Sequence, residues 1–342
     1  MRDSSRPSVA QSQATTGSSA AGQTDAISRR EVLSGAVGLG GLATLGAAAG
    51  TVRAEATEGS EAAGPVDARD GQLKQSIVSW CFANFGQKWS IDKQIAVAKQ
   101  LGCGSLELVA HKHLPRLAKE GLTCGLVPNG MPAPPFKTGW NNLNFHKPLI
   151  KHTREAIDAA AEHNCPNVIA FVGYRYHDPD DPASGEIPDD EALDNCIEGL
   201  KQVVGYAEKK GVTLCLENLN TRDKTSPFKG HPGYQGNHID YCAKIVEGVG
   251  SDHMKLLFDL YHAQVMDGDL IRRVREHKDL IGHVHTAGNP GRVELGEGQE
   301  IRYRPIMETL AELGYEGFVG HEFIPTGDPL AGLKEAVRIT TV

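Results

Sequence analysis

The chain has 342 residues, of which 40 % are hydrophobic, and a formal net charge of −8 with acidic and basic residues interspersed. This length is sufficient for one large buried core, and the acidic balance lacks the basic footprint of a nucleic-acid-binding protein. The sequence also has no polybasic cluster that would bind an anionic membrane surface.

The first 56 residues have the features of an export signal. Residues 1–27 are rich in Ser, Ala, Gln and Thr, which predicts disorder. Arg29 and Arg30 then precede a weakly apolar stretch, residues 36–50, which is followed by small residues suited to cleavage. The paired arginines and the Gly- and Ala-diluted stretch favour the twin-arginine route. We therefore expect residues 1–56 to be a disordered region and a twin-arginine signal peptide, and the mature protein to be periplasmic or otherwise extracytoplasmic. An uncleaved membrane anchor is the alternative, although a span requires roughly 20 apolar residues.

The next segment, residues 57–72, is polar and predicts a linker, which leaves residues 73–342 for the folded domain. The chain contains seven cysteines and no CxxC pair. Because most of the cysteines fall in apolar segments, we interpret them as small buried residues and expect no disulfide framework. Export in the folded state is compatible with such reduced thiols.

From Lys74 onward, short apolar segments alternate with longer amphipathic ones. Most of the short segments are continuous apolar runs, which is typical of parallel strands that are covered on both faces. We expect eight strands, over residues 75–83, 105–109, 123–127, 167–173, 212–218, 255–261, 282–288 and 317–323.

The longer segments repeat apolar residues with the 3.6-residue period of a helix. The first is expected to begin after the N-cap Ser90 and to end at Gly102. The others cover residues 146–164, 189–211, 269–282, 303–314 and 328–340.

Eight strand–helix units in succession predict the α/β class and a single-domain (β/α)₈ TIM barrel. An open doubly wound sheet is the structural alternative, but no GxGxxG follows the first strand, so nothing indicates a dinucleotide site. Two loops that follow strands are long, residues 174–190 and 221–237. Both would lie at the C-terminal rim of the barrel, where they could cover a site.

Each of the last four predicted strands carries a metal-type ligand at or near its C-terminal end: Glu217, Asp259, His285 and Glu322. TIM-barrel active sites lie at that face, and burying such groups without a partner would be very costly. Taken singly, Glu217 fits half of a salt bridge, Asp259 a strand cap and His285 a core histidine. Their equivalent positions favour one metal site. Three carboxylates and one imidazole are a mainly hard ligand set, which suits Mg²⁺ or Mn²⁺, with Co²⁺ or Zn²⁺ as alternatives.

Further polar residues follow or precede these ligands. His262 comes three residues after Asp259, and Arg292 comes seven residues after His285. Both are placed to hold substrate oxygens, although a surface-loop role is the alternative for each. His283 points to the same face of its strand as His285 and is an alternative ligand.

The sequence resembles the xylose-isomerase-like TIM-barrel superfamily of sugar phosphate isomerases and epimerases, and within it most nearly the hydroxypyruvate isomerase branch. The resemblance covers about residues 75–325 and lies in five ordered motifs: LENLNTRD, HPGYQGNHIDYC, KLLFDLYHAQVMDGDLIRR, GHVHTAGNPGR and GYEGFVGHEF.

The resemblance implies a single metal ion held by the same four ligands, with Glu217 and Glu322 also acting as the catalytic acid–base pair. At the third ligand position His285 is similar to the epimerases, whereas hydroxypyruvate isomerases tend to carry Gln there. The substrate-binding residues that the resemblance implies are His262, Arg292, Asp223 and Asn220.

These residues permit a definite chemistry. An α-hydroxy carbonyl can chelate a metal through both oxygens, and the cation then stabilises the enediolate that forms when the carbon-bound proton leaves. One glutamate takes that proton and the other returns one. We therefore expect a metal-dependent aldose–ketose type isomerase that acts on a small hydroxy-carbonyl or sugar substrate.

Other functions share parts of this pattern. A ketose 3-epimerase or a sugar or inositol dehydratase would use the same metal, and a non-catalytic binding barrel would keep the ligands without the chemistry. An endonuclease on abasic DNA would need several more histidine ligands and a basic groove. We expect no nucleic-acid partner and no stable membrane insertion after signal cleavage. The sequence does not decide between a monomer and a homo-oligomer.

Overall fold

The computed structural model describes residues 66–342, so the predicted export signal and residues 57–65 of the predicted linker lie outside the described residues. Within them, residues 68–70 form a 3₁₀ turn whose N-cap is Asp67. The Ala68 N–H donates to the Leu101 carbonyl, and the Gln72 N–H donates to the carbonyl of Val342. The end of the predicted linker therefore packs on the folded domain.

Seven parallel strands form the main sheet, in the order β2–β1–β9–β8–β7–β6–β3. A short antiparallel hairpin, β4–β5, lies apart from it. The strands are β1 Lys74–Val78, β2 Ser105–Glu107, β3 Asn167–Phe171, β4 Tyr176–Asp178, β5 Asp181–Glu186, β6 Thr213–Glu217, β7 Met254–Asp259, β8 Ile281–Thr286 and β9 Phe318–His321.

The prediction of a regular strand over residues 123–127 is wrong, but this segment still completes the barrel. Thr123 forms a parallel bridge with Ser105 of β2, and Val127 forms one with Val168 of β3. Backbone hydrogen bonds accompany both bridges. The extended segment therefore occupies the eighth position between β2 and β3, which agrees with a TIM barrel and excludes the open sheet.

Ten α-helices lie in the described residues. The predicted C-terminal ends of two strands are wrong, because a helix begins before each apolar run ends. β1 ends at Val78, directly before a helix. β7 ends at Asp259, whose side chain caps the next helix by accepting from the His262 N–H. The helices are α1 Ser79–Asn84, α2 Ile91–Gln100, α3 Leu114–Lys119, α4 His146–Glu162, α5 Asp189–Lys210, α6 Ile239–Val249, α7 Leu260–Met266, α8 Leu270–Glu276, α9 Tyr303–Glu312 and α10 Pro329–Thr340.

The predicted helices match α2, α4, α5, α8, α9 and α10, although α8 is shorter than residues 269–282 because β8 begins at Ile281. Helices α1, α3, α6 and α7 were not predicted as helices. The helix α6 follows the expected pattern of a buried apolar face, which includes Ile245 and Val246. No helix in residues 66–342 has the length and apolarity needed to cross a membrane.

The apolar core lies between the sheet and the helices, and all seven cysteines are buried there as free thiols, as predicted. The space inside the ring is different because several polar side chains fill it. Inside the ring the Ser76 hydroxyl donates to Ser105 Oγ at 2.8 Å, and Glu107 is wholly buried. The pair formed by His321 Nε2 and Gln75 Oε1, at 3.0 Å, lies on the outer face of the sheet, where the Thr340 hydroxyl of α10 also donates to Gln75 Oε1. Buried polar groups persist when they are paired in this way, so the interior forms a base for the polar site above it.

Candidate metal centre and active site

Four ligand-type side chains converge at the C-terminal ends of β6 to β9, as predicted. Glu217 ends β6, Asp259 ends β7, His285 lies near the end of β8 and Glu322 directly follows β9. One ligand atom from each residue lies within 4.8 Å of the others. None of the four is more than 4 % exposed. The parallel register therefore gathers three carboxylates and one imidazole in an enclosed space.

The atoms that face the centre of this group lie close together, but two of them form no hydrogen bond. His285 Nδ1 lies 3.0 Å from Glu322 Oε2 and 3.4 Å from Glu217 Oε1. Neither this nitrogen nor Glu217 Oε1 forms a hydrogen bond. Unpaired buried polar atoms cost about 1–3 kcal/mol each. A divalent cation at the common centre would satisfy them together, so the donor set fits a metal ion.

The carboxyl groups also perturb one another. Burial, together with the charge of Glu322, raises the pKa of Asp259 to about 7, and burial raises the pKa of Glu217. Burial opposes ionisation of Glu322 as well, but Arg292 and His285 hold its pKa well below its usual range. Protons and any bound cation would therefore compete for the same oxygens, as in metal sites generally.

Glu322 is held from two further directions. The Arg292 guanidinium donates to its Oε2, and the indole Nε1–H of Trp80 donates to its Oε1 at 2.8 Å. Arg292 also lies over the Trp80 ring, 5.2 Å from the ring centroid, and donates to the Phe228 carbonyl at 2.7 Å. Arg292 thus lies in the site, as predicted, whereas Trp80 was missed because its apolar run was interpreted as a strand.

His262 presents one nitrogen to the site. Its Nδ1 accepts from the Asn220 backbone N–H at 3.1 Å. Burial, with the positive charge of Arg292 as a second cause, lowers the pKa of His262 well below its usual value, so the ring is neutral and carries its proton on Nε2. Nε2 has no hydrogen-bond partner and lies 3.8 Å from Asp259 Oδ2. This N–H is available to an oxygen of a bound molecule.

The other two predicted substrate contacts lie in the loop that follows β6. The Asn220 amide donates to the Lys229 carbonyl, and its oxygen accepts from the Asp223 N–H. The carboxylate of Asp223 accepts from the backbone and the hydroxyl of Thr225. The structure therefore does not bring these two side chains to the ligand cluster. Asn220 instead positions His262, and Asp223 caps its own turn.

Aromatic side chains pack together beside the cluster, next to Trp80. Phe228, in the predicted covering loop of residues 221–237, lies 6.0 Å from Trp80 and 6.1 Å from Phe136, measured between ring centroids. His231 of the same loop packs on Phe136 at 4.4 Å. We interpret this group of rings as the apolar border of an entrance to the site.

Glu107, at the end of β2, was not singled out in the sequence, because a glutamate in the short run SLELV has many uses. It lies below the cluster, and its Oε1 accepts from His285 Nε2 at 2.9 Å and from His283 Nε2 at 3.1 Å. His283, the alternative ligand, is thus in this lower group and is not one of the four converging residues.

Comparisons with known proteins identify a family and a curated group. Residues 95–341 match the family described as Xylose isomerase-like TIM barrel. The 2-oxo-tetronate isomerase of Cupriavidus necator is 35 % identical over 154 residues, which cover 44 % of this chain and 56 % of that protein. The hydroxypyruvate isomerase of Escherichia coli is 31 % identical over 138 residues, which cover 40 % of this chain and 50 % of that protein. The chain thus spans about half the length of the curated relatives it matches, and the resemblance noted in the sequence is confirmed.

The fold also recurs among solved structures. The AP endonuclease, family 2, from Brucella melitensis aligns over 76 % of this chain and 97 % of that one, with a TM-score of 0.63 and 22 % sequence identity. At such low identity the likeness shows the fold alone. Function therefore has to be argued from the site.

Proposed function

This chain belongs to the xylose isomerase-like TIM-barrel family, and on that premise we propose that it is a metal-dependent isomerase of small hydroxy-carbonyl compounds, of the hydroxypyruvate isomerase type. The observation that carries the proposal is the convergence of four buried ligand-type side chains whose facing atoms, His285 Nδ1 and Glu217 Oε1, are left unpaired. The names of the partly aligned relatives support the reaction class.

The metal ion is proposed to be divalent, with Mg²⁺ or Mn²⁺ favoured by the three carboxylates and Co²⁺ or Zn²⁺ as alternatives. Glu217, Asp259, His285 and Glu322 would hold it. When bound, it supplies Lewis-acid stabilisation of the negative charge that develops on the carbonyl oxygen.

The protein's own residues account for proton transfer. Glu217 and Glu322 belong to β6 and β9, the two ends of the four-strand arc that carries the ligands. A substrate that lies against this arc meets one carboxylate on each side. One glutamate removes the proton from the hydroxyl-bearing carbon beside the carbonyl, and the other delivers a proton to the former carbonyl carbon. The hydroxyl proton passes to the former carbonyl oxygen, so that the product carries the carbonyl and the hydroxyl exchanged. Such general acid–base catalysis contributes roughly 10²–10⁴-fold to the rate.

Substrate binding depends on donors and on the entrance. The free Nε2–H of His262 and the guanidinium of Arg292 are both buried beside the ligands and can donate to substrate oxygens. The aromatic side chains of Trp80, Phe136 and Phe228 limit the width of the entrance and keep water out. A small polar substrate of a few carbons fits this combination.

The proposal is tested with the full chain and a divalent ion. After treatment with a chelator and confirmation by elemental analysis that metal is absent, turnover of hydroxypyruvate should fall at least about 100-fold and return with Mn²⁺ or Mg²⁺. In heavy water, NMR should detect deuterium on the carbon beside the carbonyl. Full turnover by the metal-free protein would refute the metal-dependent mechanism.

A panel of ketoses in the same assay separates the isomerase from the epimerase. Isomerisation moves the carbonyl to the neighbouring carbon, whereas epimerisation inverts one carbon and leaves the carbonyl in place. Inactivity of the metal-loaded protein on every hydroxy-carbonyl compound, with metal bound, would favour a binding barrel instead.

A further inference from the structure

A buried carboxylate on the opposite side of the barrel contacts the imidazole of the ligand cluster. Glu107 ends β2, and two strands, β1 and β9, separate it in the sheet order from β8, which carries His283 and His285. Its side chain crosses the interior of the ring and is wholly buried. Both imidazoles donate through Nε2 to Glu107 Oε1, at 2.9 Å from His285 and 3.1 Å from His283.

Two glycines leave the space that this carboxylate occupies. A Cβ atom on Gly320 would lie 2.1 Å from Glu107 Oε1, and a Cβ atom on Gly125 would lie 3.1 Å from its Oε2. Neither glycine has a positive φ, so the backbone conformation does not require glycine at either position. The absence of a side chain at Gly320 therefore serves the fit of Glu107, whereas a Cβ atom on Gly125 would first meet Ser105 Oγ at 2.9 Å and Phe318 at 3.0 Å.

The backbone next to Glu107 is strained. Leu108 has a φ of +53°, a conformation that costs of order 1–3 kcal/mol in residues other than glycine and that persists where the surrounding structure requires it. This turn ends β2 after three residues and leaves Glu107 as the last strand residue, with its carboxylate inside the ring. Strain in the adjacent residue, the missing side chain at Gly320 and two hydrogen bonds thus coincide at Glu107.

We propose that Glu107 is a positioning residue, which accepts the Nε2–H of His285 and so directs Nδ1 of that ring toward the metal ion. A neutral histidine binds a metal through one nitrogen and must carry its proton on the other, and the hydrogen bond of that second nitrogen sets the tautomer and the ring orientation. His283 is the second anchor of the carboxylate. The proposal rests on the proposed function, because it assumes that the four ligands hold a cation.

The alternative for Glu107, His283 and His285 is a second metal site, since their ligand atoms also lie within 4.8 Å of one another. The hydrogen-bond geometry argues against it. His285 Nε2 lies 2.9 Å from Glu107 Oε1, and His283 Nε2 lies 3.1 Å from both Glu107 oxygens, so both ring nitrogens are already paired at ordinary hydrogen-bond lengths. A metal stoichiometry of one per chain is therefore expected, and a stoichiometry of two would overturn the proposal.

The main test is Glu107→Gln in the full chain, with Mn²⁺ affinity measured by isothermal titration calorimetry after chelator treatment. We expect about 10–100-fold weaker binding than in the wild type, the usual effect of removing a carboxylate that supports a metal-bound histidine. The matched control is Asp267→Asn. Asp267 is also a buried carboxylate, and it binds the His238 ring and the Ile239 N–H away from the cluster. This control should lose thermal stability and keep the Mn²⁺ affinity.

The outcomes separate the two proposals. If the wild type binds no divalent ion, the proposed function fails. If the wild type binds Mn²⁺ and Glu107→Gln binds it equally well, the positioning role alone fails.

If Glu107→Gln does not fold, a second measurement on the wild type tests the positioning role. In the Zn²⁺-loaded wild type, ¹⁵N NMR of the histidine rings should find the His285 proton on Nε2, protected from exchange with solvent. A proton on Nδ1, with the metal on Nε2, would overturn the proposal without any variant.

Discussion

The two halves of the barrel contribute to the site in different ways. The half formed by β6 to β9 supplies one ligand from each strand, and each of these side chains faces the common centre. The half formed by β1 to β3 and the extended segment of residues 123–127 supplies none of the four. It instead supports the ligands, because Glu107 binds His285 and Trp80 binds Glu322. One half thus carries the proposed metal ligands, and the other carries side chains that hydrogen-bond to two of them.

The comparison predicts the largest losses in the ligand half. Glu217→Gln and Glu322→Gln should each lower kcat by about 10²–10⁴-fold, because each removes a group that we propose transfers a proton. The exposed Glu308, which pairs with Arg304 on the surface of α9, provides the control: Glu308→Gln should leave kcat unchanged. Steady-state kinetics on the substrate found by the screen would measure these changes. Near wild-type turnover in either variant would remove that residue from the acid–base pair.

The ligand half was also the more predictable from sequence. Glu217, Asp259, His285 and Glu322 each end or closely follow an apolar strand, and the TIM-barrel order alone brings such positions together. Their positions at the ends of successive predicted strands therefore indicate that they lie close together in the structure. His262 and Arg292 were found for the same reason, since they follow two of these strands at short distances.

The supporting half could not be predicted in this way. Glu107 lies 178 residues from His285 along the chain, and only the completed ring shows that their side chains meet. Trp80 was assigned to a strand because QSIVSWCFA is continuously apolar, yet the chain turns into a helix at Ser79. Segment 123–127 has the composition of a strand, but it forms only isolated bridges to its neighbours.

The loop after β6 shows a different limit. Asp223 and Asn220 lie close to Glu217 in sequence, which suggested contact with substrate. Their side chains bind backbone groups of their own loop instead, because polar side chains in loops often satisfy nearby backbone groups.

The predicted twin-arginine signal lies outside the described residues and stays a prediction. Cell fractionation with detection of the full chain would test it.

A smaller loss is expected from the supporting half. Trp80→Phe keeps the ring under Arg292 but removes the donor to Glu322 Oε1. Hydrogen bonds to charged groups contribute about 1.5–3 kcal/mol, so kcat/KM should fall about 10–100-fold while the fold is kept. The matched control is Trp89→Phe, since the Trp89 indole donates to Gln87 and lies away from the cluster. Equal effects of the two substitutions would contradict a specific role for Trp80.

The covering loop should give a still smaller effect, which concerns binding more than chemistry. Phe228 is 47 % exposed, yet its ring contacts Trp80 and Phe136 across the entrance. Phe228→Leu should raise KM several-fold and change kcat little, because the side chain narrows the opening without contacting a ligand carboxylate. Ile271→Ala, at another exposed apolar position, is the control. A fall in kcat with unchanged KM would indicate that Phe228 acts on the ligands.

The smallest effect is expected for a contact between two loops at the C-terminal face of the ligand half, which we expect to affect stability alone. The Glu294 carboxylate accepts from the Thr326 and Gly327 N–H groups and from the Thr326 hydroxyl, which ties the loop after β8 to the loop after β9. Burial opposes its ionisation, but these hydrogen bonds hold the pKa of Glu294 below its usual value. Because the pKa of Glu294 is lower in the folded protein than in the unfolded one, the stabilisation is complete above the unfolded pKa of about 4.3. It is lost as the pH falls through the folded pKa.

Glu294→Gln should therefore lower the free energy of unfolding by about 1 kcal/mol at pH 7. The difference from the wild type should shrink at pH 3, as measured by urea denaturation. Mn²⁺ affinity should stay constant in this variant, since Glu294 contacts no ligand. A loss of affinity, or a stability gap that widens on acidification, would mean that the rim and the metal site are coupled and that the division between the two halves is incomplete.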